Sequence, residues 1–413
     1  QWRAGRQSGV RAMSRQRLSH DGSSTRLIMR SGPFSPRRLR WGEVAWHTLL
    51  VALVLVSVGL IFIHAMAGSE AALRLSDVSF QSHLRKLLIS VPMVLVGLLV
   101  DPRWLKRNAP LIYGLTICLL LLVPLIGEER NSARRWIDLG LLDLQPSEIA
   151  KLGLIVVLAR VLARNRLRNL RSYLVPSICV ALPVCLVFLQ PDLGTALAIL
   201  PVAAGLFHVA GASGRVMGRL AFIALAIFVA AWQFQWVEDY QLRRIDTWVA
   251  SQDAETLIEG RNRTGFHVYH ARVAIGNGGL TGRGLGAGIA NETGYLPERD
   301  SDSVFAVIAE EGGFIGAVCV LLLYGLLVTL LLGSAATMRD RFTRLVVVGI
   351  ALYFGSHLVI HAAVNLGLLP MTGLPLPLVS TGGSSLLTSC LALGLALGLA
   401  AQPVVRLEGD AFR

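Results

Sequence analysis

The chain has few charged residues and none of the cysteine or histidine spacings typical of metal or redox sites. Only 16% of its 413 residues are charged, whereas 54% are hydrophobic, which excludes an ordinary soluble domain. The five cysteines all fall inside apolar runs and form no Cys-x-x-Cys pair, so they fit core positions better than disulfides or ligands. A P-loop, a dinucleotide-binding glycine pattern and a long internal repeat are also absent from the sequence.

Long apolar runs dominate the sequence instead. Ten of them are long enough to cross a bilayer as helices. These runs are 44–66, 84–100, 109–126, 148–164, 172–189, 193–210, 218–236, 304–332, 343–366 and 383–401. Because lipid offers backbone polar groups no external partner, the pattern predicts an all-α, polytopic integral membrane protein with about ten transmembrane helices. We expect one membrane domain at 44–401, followed by a cytoplasmic tail at 402–413.

The positive charge is concentrated at the N-terminus. Residues 1–40 contain ten Arg and one Asp, a net charge of +9, and few large apolar residues. We therefore expect 1–43 to be a disordered cytoplasmic tail that orients the first span and attracts anionic lipid. Aromatic interleaving typical of nucleic-acid binding is missing, so no nucleic-acid partner is expected. With the tail inside, most short inner connections are arginine-rich, as the positive-inside rule requires.

Three segments then face the outer side. The first, 127–147, contains Arg135 and Trp136; the second is the long loop 237–303; the third is the Pro- and Gly-rich segment 367–385. Long loops of this kind are usually functional or disordered. Apolar spacing around 237–248 and 266–275 predicts two amphipathic helices in the long loop, which favours a structured, functional segment.

Ionisable residues cluster at the end of that loop, directly before an apolar run. The segment 296–302 reads Leu-Pro-Glu-Arg-Asp-Ser-Asp, and such charges beside a span are a functional hypothesis by default. Asp302 is the prime candidate for catalysis; an Asp at this point could also cap the helix, and the two roles are compatible because a capping carboxylate can remain exposed to a substrate. Glu310 and Glu311 follow in the same run, and we expect one of them to face the interior and pair with a cation.

Two further pairs leave alternatives open. Glu148 and Lys151 share one helix face, where they could form a structural ion pair or line an aqueous, substrate-contacting cavity. Trp136 could be an interfacial anchor, and Arg135 could bind a phosphate in bidentate fashion. The same ambiguity holds for Arg244 in the first loop helix.

Four blocks of residues together resemble the SEDS family of bacterial cell-wall proteins, the RodA, FtsW and SpoVE group. The blocks are Arg134-Arg135-Trp136-Ile137 with Gln145-Pro146-Ser147-Glu148-Ile149-Ala150-Lys151-Leu152; Gln190-Pro191-Asp192-Leu193-Gly194-Thr195; Asp239-Tyr240-Gln241 with the glycine-rich stretch 276–286; and Leu296-Pro297-Glu298 with Asp302, Glu310-Glu311 and Leu374-Pro375-Leu376-Pro377 through Ser385. Any one block alone would be weak, whereas the combination is specific. Pro-Glu-Arg and Leu-Pro-Leu-Pro lean towards the elongation type, RodA.

The resemblance implies a glycosyltransferase that polymerises lipid II into peptidoglycan strands during elongation or division, with a class B penicillin-binding protein as partner. It implies that Asp302 is the essential outer acidic residue and that Trp136 is important. Further substrate-binding candidates are Arg135, Glu148, Lys151, Arg244, Glu298, Arg299, Ser380 and Ser384. A divalent cation, Mg or Mn, is expected to neutralise the leaving phosphates, with Glu298 and Asp300 as its candidate ligands.

The chain departs from the family pattern at two places. The family usually has His-Thr-Asp-Phe where this chain has Asp300-Ser301-Asp302-Ser303, and Ser-Tyr-Gly-Gly where it has Ser380-Thr381-Gly382-Gly383. The acidic residue is retained, so activity in the plasma membrane is expected. A lipid II flippase and a non-catalytic scaffold for a transpeptidase are the alternatives.

Overall fold

A computed structural model provides the fold. It describes residues 33–34, 39–69, 78–130, 133–138, 140, 143–165, 167, 169–233, 239–253, 255 and 265–402. Most of the basic tail predicted at 1–43, and nearly all of the tail predicted at 402–413, lie outside these residues.

Helices occupy all ten positions at which the sequence predicts a span. They are α1 (Trp46–Ala67), α2 (Phe80–Ser90) continued by α3 (Pro92–Leu99), α4 (Pro102–Ile126), α5 (Pro146–Arg164), α6 (Arg171–Leu189), α7 (Leu193–Val209), α8 (Gly214–Gln233), α12 (Val304–Thr337), α13 (Arg341–Asn365) and α14 (Gly383–Ala401). Within the described residues, seven of these helical segments are long and apolar enough to cross a membrane. The prediction of a polytopic, all-α membrane protein is confirmed.

Two of the three remaining helices, α5 and α7, are less apolar or shorter than a typical transmembrane helix. α5 carries Glu148 and Lys151 in its first turns and Arg160 and Arg164 near its end. α7 is apolar but has only 17 residues. Charges on α5 are tolerable in a membrane because this helix is enclosed by its neighbours: Glu148 and Lys151 are both buried.

The centre of the bundle is formed by α13 and α14, which are largely buried, whereas the outer helices expose apolar side chains. Small residues let α14 approach α3 closely: a Cβ at Gly97 would lie 2.5 Å from the backbone oxygen of Leu391, and one at Gly394 would overlap the Val94 carbonyl. Close backbone approach at glycine is a common way for helices to associate where lipid removes the hydrophobic driving force.

Two of the three segments assigned to the outer side carry short helices or strands, whereas residues 367–382 of the third form neither. Between α4 and α5 lies an antiparallel sheet of β1 (Glu128–Arg130), β2 (Ala133–Asp138) and β3 (Asp143–Leu144). The long loop contains α9 (Asp239–Ala250), α10 (Phe266–Asn277) and the one-turn α11 (Ile289–Thr293). Both predicted loop helices are thus present, and α9 is amphipathic as expected, whereas the apolar residues of α10 are not confined to one face.

α12 is not the continuous span that the apolar run suggests. It breaks at Gly313, whose φ of 66° and ψ of −168° lie outside the helical region. A β-carbon is strongly disfavoured at such a φ, so glycine is the residue that permits the break. The break separates a short outer piece of α12, which begins beside Asp302, from the long membrane piece.

Candidate functional site

Asp302 lies in a tight turn immediately before α12. The backbone N–H groups of Ser301 and Ser303 both donate to the Glu298 carbonyl, at 3.1 and 3.0 Å. The helix N-cap is Ser303, so Asp302 is one residue outside the capping position. The capping role considered for Asp302 is therefore wrong, and its carboxylate is available for another task.

The Asp302 carboxyl lies between its own turn and the segment that links α13 to α14, and the residue is half-buried. Ser301 Oγ donates to its Oδ1 at 3.0 Å, and a Cβ added at Gly373 would lie 3.2 Å from its Oδ2. Asn365 Nδ2, at the end of α13, donates to the Asp302 carbonyl at 3.1 Å. Burial, with the Glu298 charge as the second cause, raises the pKa of Asp302 to about 7, although the Ser301 hydrogen bond and Arg244 act in the opposite direction.

The turn is held from the other side by the segment that precedes α14. Ser380 Oγ donates to the Ser301 carbonyl at 2.7 Å, and Thr381 Oγ1 donates to Asp300 Oδ2 at 2.8 Å. The Thr381 N–H also donates to the Asp300 carbonyl, at 3.0 Å. Ser380, a candidate substrate ligand, therefore supports the turn that carries Asp302.

Arg244 is the cation that the structure brings to this carboxylate. It lies on α9, and its Nη1 donates to the Met371 carbonyl at 3.0 Å, in the same segment as Gly373. Its charge lowers the pKa of Asp302. Arg299, by contrast, is only 1% exposed and donates from Nη1 to the carbonyls of Ala290 and Asn291, at 3.1 and 3.4 Å. Its guanidinium therefore points to the loop around α11.

A second polar cluster lies inside the bundle on α5 and α13. Lys151 Nζ donates to Glu148 Oε1 at 2.7 Å and lies 2.8 Å from His357 Nε2. His357 Nδ1 lies 2.9 Å from the Tyr353 carbonyl, which fixes the neutral tautomer with the proton on Nδ1 and Nε2 as acceptor. The predicted Glu148–Lys151 pair is present, and His357 is the third member that sequence spacing did not reveal.

The sheet between α4 and α5 positions the remaining candidates. Arg135 donates from Nε to the Gln190 carbonyl at 3.1 Å and from Nη2 to the Pro191 carbonyl. Trp136, next to it, is half-buried and pairs with Glu128 in the β1–β2 register. Ser384, at the start of α14, accepts from the Gln145 N–H at 2.8 Å and donates to the Asp143 carbonyl. Arg135 and Ser384 thus tie the ends of several helices together.

Glu310 and Glu311 have different partners from the cation expected. Glu310 accepts from the backbone N–H groups of Ile289 and Ala290, at 3.1 and 3.0 Å, and Glu311 accepts from Asn291 Nδ2. The expectation of an ion pair is corrected: within the described residues, N–H donors and not cations bind these buried carboxylates. Such bonds to ionised acceptors are among the stronger hydrogen bonds in proteins.

His267 on α10 also belongs to the neighbourhood of Asp302. Its Nε2 lies 2.6 Å from Ser303 Oγ, one residue after the carboxylate. Burial, followed by Arg244 and His270, lowers the pKa of His267 to about 4, so the ring is neutral near pH 7. The sequence does not predict this contact, because α10 carries both His267 and His270 and no spacing distinguishes one from the other.

The carboxylates do not form a complete metal-binding group. No set of three or more His, Cys, Asp or Glu side chains within the described ranges is arranged to hold an ion. Asp300 Oδ2 is already an acceptor for Thr381, and Glu298 is exposed. The described residues therefore do not fit a cation held by protein ligands alone. No step of the proposed reaction depends on a metal ion.

Comparison with known proteins places this geometry in a family. A family profile described as cell cycle protein, covering FtsW, RodA and SpoVE, matches residues 45–403. The peptidoglycan glycosyltransferase MrdB of Escherichia coli K12 is 32% identical over 354 residues, which cover 85% of this chain and 92% of that relative. A probable peptidoglycan glycosyltransferase FtsW of Alkalilimnicola ehrlichii is 34% identical over 373 residues, covering 87% and 90%.

Solved structures agree with the sequence matches. A chain from work on the structural coordination of polymerization and crosslinking by a peptidoglycan synthase complex has a TM-score of 0.73 and 30% identity, covering 87% of this chain and 98% of that one. The rod shape determining protein RodA of Thermus thermophilus has a TM-score of 0.64 and 29% identity, covering 87% and 97%. The family profile spans most of the chain, and the relatives exceed 30% identity over nearly their whole length. The chain belongs to the SEDS family of RodA- and FtsW-type membrane proteins.

Proposed function

We propose that this protein is a peptidoglycan glycosyltransferase that polymerises lipid II, with Asp302 as its general base. The observation that carries the proposal is the environment of Asp302: a carboxyl in a fixed turn at the mouth of a helix bundle, with a pKa of about 7. A base of this pKa is about half deprotonated at neutral pH and is still basic enough to take a proton from a sugar hydroxyl.

The chemistry follows from the substrate, whose lipid tail, diphosphate and sugars need lipid, headgroup and water. An acceptor hydroxyl attacks the anomeric carbon of the donor sugar, the carbon–oxygen bond to the diphosphate breaks, and the configuration at that carbon inverts. Asp302 receives the hydroxyl proton, and the lipid diphosphate leaves with the bonding electrons. General-base assistance of this kind is worth about 10²–10⁴ in rate.

Cationic groups must stabilise the charge that develops on the diphosphate. Arg244 is the best-placed candidate, because its field reaches Asp302. Arg135 and Lys151 are further candidates, and Trp136 beside Arg135 offers a flat apolar surface to a sugar or prenyl group. A divalent ion would need phosphate oxygens of the substrate to complete its ligands beside Glu298 or Asp300.

The topology proposed for the cell follows from the charge pattern. The arginine-rich N-terminus lies in the cytoplasm, and the loop that carries Asp302 faces the outer side of the bacterial plasma membrane. A class B penicillin-binding protein is the proposed partner, because crosslinking must act on the strands that this site extends. The lean towards the RodA type over the FtsW type stays a prediction.

One observation disfavours the flippase alternative. Buried apolar residues follow Glu148 and Lys151 on α5, at 152–159, and precede His357 on α13, at 345–351. A translocation pathway for a charged headgroup would need polar groups along its length. The buried apolar residues of α5 and α13 therefore favour a site that opens on one side of the membrane only.

One assay distinguishes polymerisation from the two alternatives, the flippase and the scaffold. Purified full-length protein in proteoliposomes receives lipid II on the outer side, and glycan strands are measured by gel and lipid II movement by headgroup accessibility. We expect strands with the protein alone or with its transpeptidase partner. Movement of lipid II without strands would favour the flippase, and neither activity, with intact partner binding, would favour the scaffold.

A further inference from the structure

The glycine-rich part of the long loop closes the break in α12. Across the break, the N–H groups of Arg283 and Gly284 donate to the carbonyls of Glu310 and Glu311, both at 3.0 Å. In return, the N–H groups of Phe314 and Ile315 donate to the carbonyls of Gly279 and Leu280, at 2.9 and 3.2 Å. Four backbone groups that the break would leave without helical partners are satisfied in this way, as a membrane environment demands.

Glycine is required for this contact because backbone meets backbone. A Cβ at Gly278 would overlap the Ala309 carbonyl, and one at Gly282 would overlap that of Glu311. Gly282 also has a φ of 81°, which side chains rarely allow. The glycine-rich stretch, whose function the sequence did not reveal, is thus a backbone partner for the broken helix.

The two glutamates next to the break extend the contact to α11. Glu310, which is fully buried, binds the Ile289 and Ala290 N–H groups, and Asn277 Nδ2 donates to it at 3.4 Å. α11 in turn binds Arg299 through its Ala290 and Asn291 carbonyls. Arg299 is part of the turn that ends at Asp302, so a continuous series of contacts joins the break to the proposed base.

This series forms a closed path. Segment 278–303 begins beside the break in α12. Glu310 binds its middle part at α11, and Arg299 connects α11 to the turn that leads into the N-terminus of α12. The short outer piece of α12 is therefore fixed at both ends by the loop that carries the carboxylate. Misplacement of a reacting group by about 1 Å can cost about 10²-fold in rate.

We propose that Glu310 and Arg299 are positioning residues, which fix the turn of Asp302 by coupling it to the break in α12. This inference rests on the proposed function, since it assigns how the base of that reaction is held. It also gives Arg299 a role different from the substrate binding expected in the sequence analysis. Neither side chain contacts the substrate in this scheme.

The test uses full-length purified protein and lipid II polymerisation. Glu310→Gln replaces one carboxylate oxygen by an NH2 group, which cannot accept from the α11 N–H groups. We expect kcat to fall about 10- to 100-fold with KM for lipid II within about twofold. Glu310→Asp, which keeps two acceptor oxygens, should recover part of the rate. Glu292→Gln, on the exposed side of α11, is the matched control and should stay within about twofold.

Arg299→Met is the second variant, in case Glu310→Gln does not fold. The Ala290 carbonyl still accepts from the Gly294 N–H at 3.1 Å, so this change leaves that carbonyl satisfied. It should lower kcat in the same way while the protein remains folded. A raised KM with unchanged kcat in either variant would overturn the proposal, as would full activity of folded Arg299→Met.

The inference and the function can fail separately. If Asp302→Asn abolishes polymerisation but Glu310→Gln and Arg299→Met turn over normally, the positioning role is wrong and the function stands. If Asp302→Asn turns over normally, the assignment of the base fails first, and no positioning role remains to be assigned.

Discussion

Asp300 and Thr381 form a hydrogen bond of 2.8 Å between Oδ2 and Oγ1, although 80 residues separate them in the chain. Asp300 and Thr381 stand where the family resemblance leads us to expect His and Tyr, and Ser301 and Ser303 are further departures in the same turn. The Thr381 hydroxyl, on a side chain smaller than tyrosine, donates a hydrogen bond to the Asp300 carboxylate. The contacts between these two residues keep the turn of Asp302 attached to the segment before α14.

A double-mutant cycle tests this pairing. Asp300→His and Thr381→Tyr should each lower turnover, because each alone leaves a mismatched partner, whereas the double variant should recover activity. Contacting residues usually show coupling energies of about 0.5–3 kcal/mol. Strand formation and thermal unfolding of the four proteins measure the coupling. Purely additive effects would show that the two positions vary independently.

The pKa of Asp302 predicts an acid limit to activity near pH 7. Burial and the Glu298 charge raise the pKa of this carboxyl to about 7. The base must be deprotonated, so kcat/KM should be half-maximal at about pH 7, fall tenfold per pH unit below that, and level off above it.

The variant Glu298→Gln tests whether the Glu298 charge raises the pKa of Asp302. Removing a neighbouring negative charge lowers the pKa of Asp302, so the acid limit should move to lower pH and activity at pH 6 should rise relative to that at pH 8. A profile of wild-type kcat/KM that is flat from pH 5 to pH 8 would contradict the assigned environment.

Gly373→Ala should disturb the carboxylate directly. The φ of Gly373 is 69°, and its new Cβ would lie 3.2 Å from Asp302 Oδ2. Left-handed backbone costs a residue with a side chain about 1–2 kcal/mol, and the contact pushes on the proposed base. We expect about tenfold lower kcat and a lower unfolding temperature. Gly276→Ala, within α10 and with open space at its Cβ, is the control; equal effects of the two changes would refute the contact.

The buried ion pair predicts an asymmetry in stability. Lys151→Met leaves the Glu148 carboxylate buried without its cation, which should cost about 3–5 kcal/mol. Glu148→Gln combined with Lys151→Met removes both charges and should recover most of that loss. Thermal unfolding in detergent compares the two variants. If the double variant were as unstable as the single one, the loss would come from the other contacts of Lys151, such as that with His357, and not from an unpaired carboxylate.

Much of the fold could be predicted because the membrane imposes length and hydrophobicity on each span. Even α5, with four charged residues, was recognisable as a helix from its apolar run. The break at Gly313 could not be predicted, because Gly312 and Gly313 lie in an apolar run where glycine is common. What makes the break stable is the contact with residues 279–284, which local sequence does not encode.

The site was predictable in part for similar reasons. Asp302 stood out because a carboxylate directly before a span is costly without a purpose. His357 did not, since its partner Lys151 lies 206 residues earlier and only the packing of α13 on α5 brings them together. The sequence offers Arg299 as a substrate-binding cation because of its charge close to Asp302, whereas the structure buries it against α11.

The most direct test is the turnover of Asp302→Asn on purified lipid II with the folded protein. Asparagine keeps the size and the turn but cannot accept the hydroxyl proton, so strand formation should fall by about 10²–10⁴. Asp246→Asn, which changes an exposed carboxyl on α9, controls for loss of charge in the same loop and should remain active. Near-normal strand formation by Asp302→Asn would contradict the assignment of the base.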